Sequence, residues 1–320
     1  MNINWKIFLQ NHYSASITDN EVIFPETTDS NDKAIFALNH LAVLAVCGTQ
    51  AGTFLQGQIT CNINEINEKN CCLGAFCNVQ GKVISTCLVV KSVDGYLLLL
   101  PSELLETIKN RLQKYILRAD VQLINQFENW CLIGLLEAHS EPQKLGATTQ
   151  TNHITIHFDH RRLSLVKVEN VETIWSDHVS NGFTPKNSTH WRYLDIMNGI
   201  PWLTLATSEQ FIPQMLNLDK LGAISFNKGC YTGQEIVART HYLGKAKRAL
   251  FSMSGKLDNA PPANTVIADV SGQSIGKIIN AIVYQGIIYL LAVLPVDNYI
   301  DSFNLPDYPN HLITLINNHG

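Results

Sequence analysis

Beyond Gly244 the chain changes texture, and that change limits its fold more than any other feature. Short apolar runs at 249–254, 265–270, 274–283 and 287–294 are separated by Gly, Pro, Asp and Asn. Short strands bounded by turn residues describe an all-β module, a small barrel, over 246–320. Within it, 278–294 is apolar enough to suggest a membrane span, but Asn280, Tyr284, Gln285 and Gly286 interrupt it. Two strands joined at Gln285-Gly286 fit the pattern better, so no membrane association is expected.

Upstream, strands mix with a periodic helix. Residues 41–46 form a buried strand candidate ended by Cys47-Gly48, with Thr49 placed to cap the helix that follows. Residues 73–90 read as two strands around a turn at 78–82, and 96–100 as a third, stopped by Pro101. Ser102 is placed to cap a helix whose Leu104, Leu105, Ile108, Leu112, Tyr115 and Ile116 recur with a 3.6 period, before a strand at 121–124. This order describes an α+β lobe with helices on one face of an antiparallel sheet. Residues 131–190 repeat the style, and a polar loop is expected at 27–32. In 153–158, Ile154, Ile156 and Phe158 face one way and His153, Thr155 and His157 the other. With His160 nearby but no thiol or carboxylate to complete a ligand set, this reads as a solvated strand face, and no metal site is expected.

Composition sets limits on function. A chain of 320 residues with 46% hydrophobic content supports two or three domains. A net charge of −4 lacks the electrostatic footprint of a nucleic-acid binder, so no direct nucleic-acid contact is expected. The first residues, Met1-Asn2-Ile3-Asn4-Trp5-Lys6, do not resemble a secretory or mitochondrial leader, which points to the cytoplasm. The eight cysteines are then expected to be reduced thiols. No dinucleotide, phosphate-loop, zincin or nucleophile-elbow motif is present.

One stretch carries chemistry: Lys228-Gly229-Cys230-Tyr231-Thr232-Gly233-Gln234-Glu235-Ile236-Val237-Ala238-Arg239. It sets a thiol in a Gly-flanked turn beside a lysine, ahead of a helix. A helix end and an ammonium both favour thiolate, so Cys230 is the candidate reactive group and Lys228 its candidate activator. Lys228 would alternatively grip an anion or lie exposed in the turn. Arg239 offers a fork for a carboxylate or a helix-end ion pair.

This block resembles the signature of the YgfZ-type folate-binding proteins, relatives of the glycine-cleavage T protein, a tetrahydrofolate-dependent aminomethyltransferase. Phe211-Ile212-Pro213-Gln214, Asn217-Leu218, Gly222-Ala223-Ile224-Ser225-Phe226 and the earlier Phe54-Leu55-Gln56-Gly57-Gln58-Ile59-Thr60 extend the resemblance over most of the chain. It implies an α+β fold: a T-protein-like folate-binding region, 1–245, of two α+β lobes (1–49 with 130–245, and 50–129). A C-terminal antiparallel β-barrel at 246–320 would close a three-domain ring. It also implies a tetrahydrofolate or other reduced folate ligand, with Trp191, on a strand and loop lining the cleft, as a stacking face for the pterin unless it is core. Arg239 would meet the glutamate tail. The implied protein is a monomeric accessory factor for assembly or repair of iron–sulfur enzymes, including those that thiomethylate tRNA, acting through Cys230 as nucleophile, cluster ligand or redox thiol. The alternatives are an aminomethyltransferase and an interaction protein with a vestigial folate site. Ser85 stands where aminomethyltransferases carry a catalytic Asp, Leu41 where relatives often have a second Trp, and Met197 where T proteins have a pterin-binding Glu. Asp195, sharing a strand face with Met197, would partly substitute for that Glu.

Overall fold

The computed structural model describes residues 1–25, 32–149, 153–244, 246–269, 271–296, 302–308 and 311–318. Of the expected polar loop at 27–32, all but Asp32 lies outside the described residues, as do Lys245 at the barrel boundary and Val270 at the end of an expected strand. The chain folds into two compact units. One comprises Met1–Leu55, Ile63–Cys72 and Leu88–Trp191; the other comprises Gln56–Asn62, Leu73–Cys87 and Arg192–Gly320.

The first unit contains a six-stranded sheet in the order Gln143–Thr149, His153–Asp159, Arg161–Lys167, Trp130–Glu137, Lys33–Ala37, Thr184–Pro185, antiparallel except for the last pair. Helices Ile3–Tyr13 and Val168–Ser180 bring Trp5, Leu9, Val171 and Trp175 into one core with Ile35, Ile133, Leu135 and Val166 of the sheet. His153 and His157 pair across the strands with Val166 and Arg162. They are half-buried rather than on a solvated face, and burial lowers the pKa of both. Elsewhere in this unit Leu41–Cys47 pairs with Gly95–Pro101 and Gln122–Asn125, flanked by the amphipathic helix Leu105–Ile116. Ser102 begins a 3-10 turn instead of capping that helix, and the Thr49 hydroxyl donates to the Asp120 carboxylate.

The second unit holds the barrel. Its six strands close in the order Arg248–Gly255, Ile287–Pro295, Ser274–Tyr284, Val266–Ala268, Ser302–Asn304, Leu312–Asn318, with every pairing antiparallel. Alternation sends Phe251, Met253, Ile267, Ile278, Leu290 and Phe303 into its core. Gln285 and Gly286 both adopt positive φ, as a two-residue hairpin between twisted strands demands. The α+β class and C-terminal barrel are as expected. The six residues from Trp191 to Ile196 are not a strand: they lie within the helix Ser188–Met197. Residues two apart on a helix point about 200° apart, so Asp195 and Met197 do not share a face. Asp195 is buried and accepts a hydrogen bond from Trp202 Nε1 at 3.0 Å.

Candidate functional site: a cysteine on an anchored loop

In the second unit the motif runs from a 3-10 turn, Pro213–Leu216, to the helix Gln234–Leu243. The loop between them is tied down along most of its length. Asn217 donates to the Leu250 carbonyl on the first barrel strand at 3.0 Å, and Gln214 donates to the Val237 carbonyl at 2.7 Å. The fully buried Thr60 donates its hydroxyl to the Ala223 carbonyl at 2.7 Å and accepts from the Ala75 amide, while the Ser225 amide donates to the Thr60 carbonyl. Lys228 extends the same attachment: its ammonium donates to the carbonyls of Ile59 at 2.6 Å and Cys61 at 2.7 Å. It also lies 5.2 Å from the centre of the Tyr231 ring.

Past Cys230 the chain is fixed again. Tyr231 is buried, and burial, with Cys77 adding, holds its phenol well above the ordinary value. Gly233 caps the helix at φ 84°, and a Cβ there would lie 2.4 Å from the Asn78 carbonyl oxygen of the hairpin turn between Cys72–Cys77 and Val83–Ser92. Only glycine permits that approach and that φ together. Between these anchors Gly229 and Cys230 are exposed, and a Cβ on Gly229 would meet nothing within 4 Å.

All eight cysteines are free thiols, and Cys230 alone among them is exposed. Burial raises the thiol pKa of Cys71 and Cys131 to about 12, and that of Cys87 well above its ordinary value. Cys47 and Cys72 are half-buried, so exposure singles out Cys230 among the eight. The Lys228 donors hold the loop to the Ile59–Cys61 segment. The helix begins at Gln234, so Cys230 lies in the loop before its first turn.

The other candidates are placed differently. Arg239 is exposed on the helix and makes no ion pair among the described residues. Trp191 belongs to the first unit and is 1% exposed. Arg161 lies 4.9 Å from its ring centre, Phe36 and Phe158 pack edgewise on it, and a Cβ on Gly134 would fall 2.5 Å from it. Ser85 is fully buried, its hydroxyl donating to the Thr86 carbonyl. Among the described residues no group of three or more His, Cys, Asp or Glu is arranged to hold a metal, and no helix is long and apolar enough to cross a membrane. Reasoning from sequence alone missed Thr60 and Gly233 as anchors; both lie in the motifs quoted above, but their partners are remote in sequence.

No protein-family model matches the sequence. The chain is 30% identical over 260 residues to the tRNA-modifying protein YgfZ of Colwellia psychrerythraea, covering 78% of this chain and 80% of that protein. Its fold is similar to that of the glycine cleavage system aminomethyltransferase T from Bartonella henselae, with a TM-score of 0.74 at 11% identity, over 98% of this chain and 95% of the other.

Proposed function

Because the chain belongs to the YgfZ family, we propose that it is an accessory protein of tRNA modification that supports iron–sulfur enzymes through the Cys230 thiol, with a reduced folate as its small-molecule ligand. The observation that carries this reading is the contrast within the loop. Thr60, Lys228 and Gly233 anchor both of its ends, while the thiol between them is exposed. A thiolate is a soft ligand and a good nucleophile, suited to iron and to sulfur acceptors. One thiolate supplies one ligand, so a cluster in contact with it would take the rest from a partner.

The residues nominated for folate fit it unevenly. Arg239 is available to a carboxylate, but Trp191 is buried, with Arg161, Phe36 and Phe158 against its ring, so a pterin would stack there only by displacing one of them. No step of the proposed chemistry is routed through folate. The aminomethyltransferase alternative is disfavoured because Ser85, at the position of the expected carboxylate, is neutral and sealed from solvent. A placed acid or base typically contributes about 10²–10⁴-fold to such reactions.

The test is complementation of a cell lacking the endogenous homologue. Cys230→Ser should fold with stability within about 1 kcal/mol of the parent yet fail to restore iron–sulfur enzyme activity and thiomethylated tRNA. Pulse alkylation of the native protein should label Cys230 before the other seven thiols. Full complementation by the serine variant would overturn the proposal.

A further inference from the structure

We propose that the face beside Cys230, formed by the outer side of the helix Gln234–Leu243 and the adjoining hairpin tip, docks an acidic protein surface. The inference rests on the reading of Cys230 given above and adds the chemistry of the partner. Ile236, Arg239, Thr240 and Leu243 follow the spacing of one helix face. The helix buries Val237 on its inner side and leaves Ile236 37%, Tyr242 64% and Leu243 82% exposed. Val79, 77% exposed, adds to this surface from the hairpin tip, whose Gly81 packs against Ile236. Large aliphatic side chains left in water beside a tyrosine and an arginine are the composition of a protein interface.

Charge identifies the occupant. In a chain of net charge −4, the stretch 228–248 carries five cations, Lys228, Arg239, Lys245, Lys247 and Arg248, against the single carboxylate of Glu235. Lys228 and Arg248 spend donors on backbone carbonyls, which leaves Arg239 and Lys247 as the exposed cations among the described residues of the stretch. One arginine on the aliphatic stripe, with Lys245 and Lys247 past the helix end, is too few for an RNA backbone, where tight binding takes about 6–10 phosphate contacts. A second copy of this chain would set its own Arg239 stripe against the same charges. An acidic protein face with apolar centre satisfies both components, and docking there brings its cluster or acceptor sulfur to the thiol.

The experiment places a photo-crosslinking amino acid at Thr240 of the full chain in complemented cells, with a control position at the exposed Gln273 of the barrel. Arg239→Glu and Leu243→Asp are compared with the parent. The expected result is a protein adduct from position 240 and not 273, mapping to an acidic segment of the partner. Affinity for the purified adduct partner should fall about tenfold or more in each variant, with an unchanged melting temperature and Cys230 alkylation rate. A ribonuclease-sensitive adduct, an adduct with a second copy, equal adducts from both positions, or full activity and unchanged affinity in both variants would each overturn it. Cys230→Ser separates the two ideas: loss of complementation with no adduct at 240 leaves the thiol reading standing and removes this one. Full complementation by the serine variant, with the 240 adduct retained and lost in Arg239→Glu, does the reverse.

Discussion

Replacing Lys228 by methionine tests whether this lysine is an anchor. The substitution keeps the length of the stem and removes two donors, leaving the Ile59 and Cys61 carbonyls without their ammonium partner at 2.6 and 2.7 Å. Hydrogen bonds to a charged group contribute about 1.5–3 kcal/mol each. Lys228 is only half-buried, so water recovers part of the loss, and the lower end of that range applies to each bond. The expected cost is about 3 kcal/mol, a fall of about 6–12 °C in the melting of a unit of this size. Arginine should recover part of it, since a guanidinium keeps the charge but spreads its donors in a plane. Thr60→Val supplies an independent check, because it orphans the Ala75 amide and the Ala223 carbonyl in a fully buried site, at about 1–3 kcal/mol. The assay is thermal unfolding with amide exchange read on 223–233, where the Ser225 amide, bonded to the Thr60 carbonyl, should lose protection in both variants. If Lys228→Met melts within about 1 °C of the parent and exchanges no faster in that segment, the anchoring argument is wrong.

Gly233→Ala should be among the most destabilising single changes in the chain, about 3 kcal/mol or more by denaturant midpoint, because it combines a positive φ with a 2.4 Å approach to a carbonyl oxygen. Acid should weaken the first unit through His190: burial, with Lys186 and Arg161 adding, lowers its pKa to about 4. The unfolded chain takes up that proton near pH 6.5 and the fold does not, so the contribution is complete above about pH 6.5 and declines as pH falls toward 4, by about 3 kcal/mol at most. His190→Gln should flatten the slope of stability against pH over that window. Trp191→Phe should lower the melting temperature, at about 1–3 kcal/mol for a shrunken core side chain, while calorimetric affinity for tetrahydrofolate stays at the parent value. A weakened affinity with unchanged stability would make the ring a ligand platform after all.

The barrel was legible because its turns are written in local residues. Gln285-Gly286 fixes one hairpin, and period-two alternation fixes which side chains face inward. The last two strands, Ser302–Asn304 and Leu312–Asn318, escaped because the first is only three residues long and Pro306 and Pro309 lie between them. The helix over Trp191 was hidden by its own composition. Aromatic and polar residues alternate in Trp191-Arg192-Tyr193, while the helical signal lies in the spacing of the buried positions Ser188, Trp191 and Asp195. Whether a tryptophan offers a free face is not a local property either: Trp191 is closed by Gly134, Phe158 and Arg161, each brought in by sheet pairing.

The site divides along the same line. The exposure of Cys230 follows from its immediate neighbours, since a glycine before it and a turn around it leave little to pack against. The part played by Lys228 does not, because its acceptors lie 169 and 167 residues earlier in the chain. An ammonium beside a thiol in sequence suggests an activator, but its nearest acceptors in space decide where its donors go. At this loop two backbone carbonyls take them, and the same lysine rests against the buried Tyr231 ring that begins the return to the helix. Lys228 thus ties the strand-side anchor made by Thr60 to the helix-side anchor made by Tyr231 and Gly233. A thiol held this way is positioned by bonds that do not involve it, so its chemistry can be exchanged for a hydroxyl without disturbing the bonds that present it.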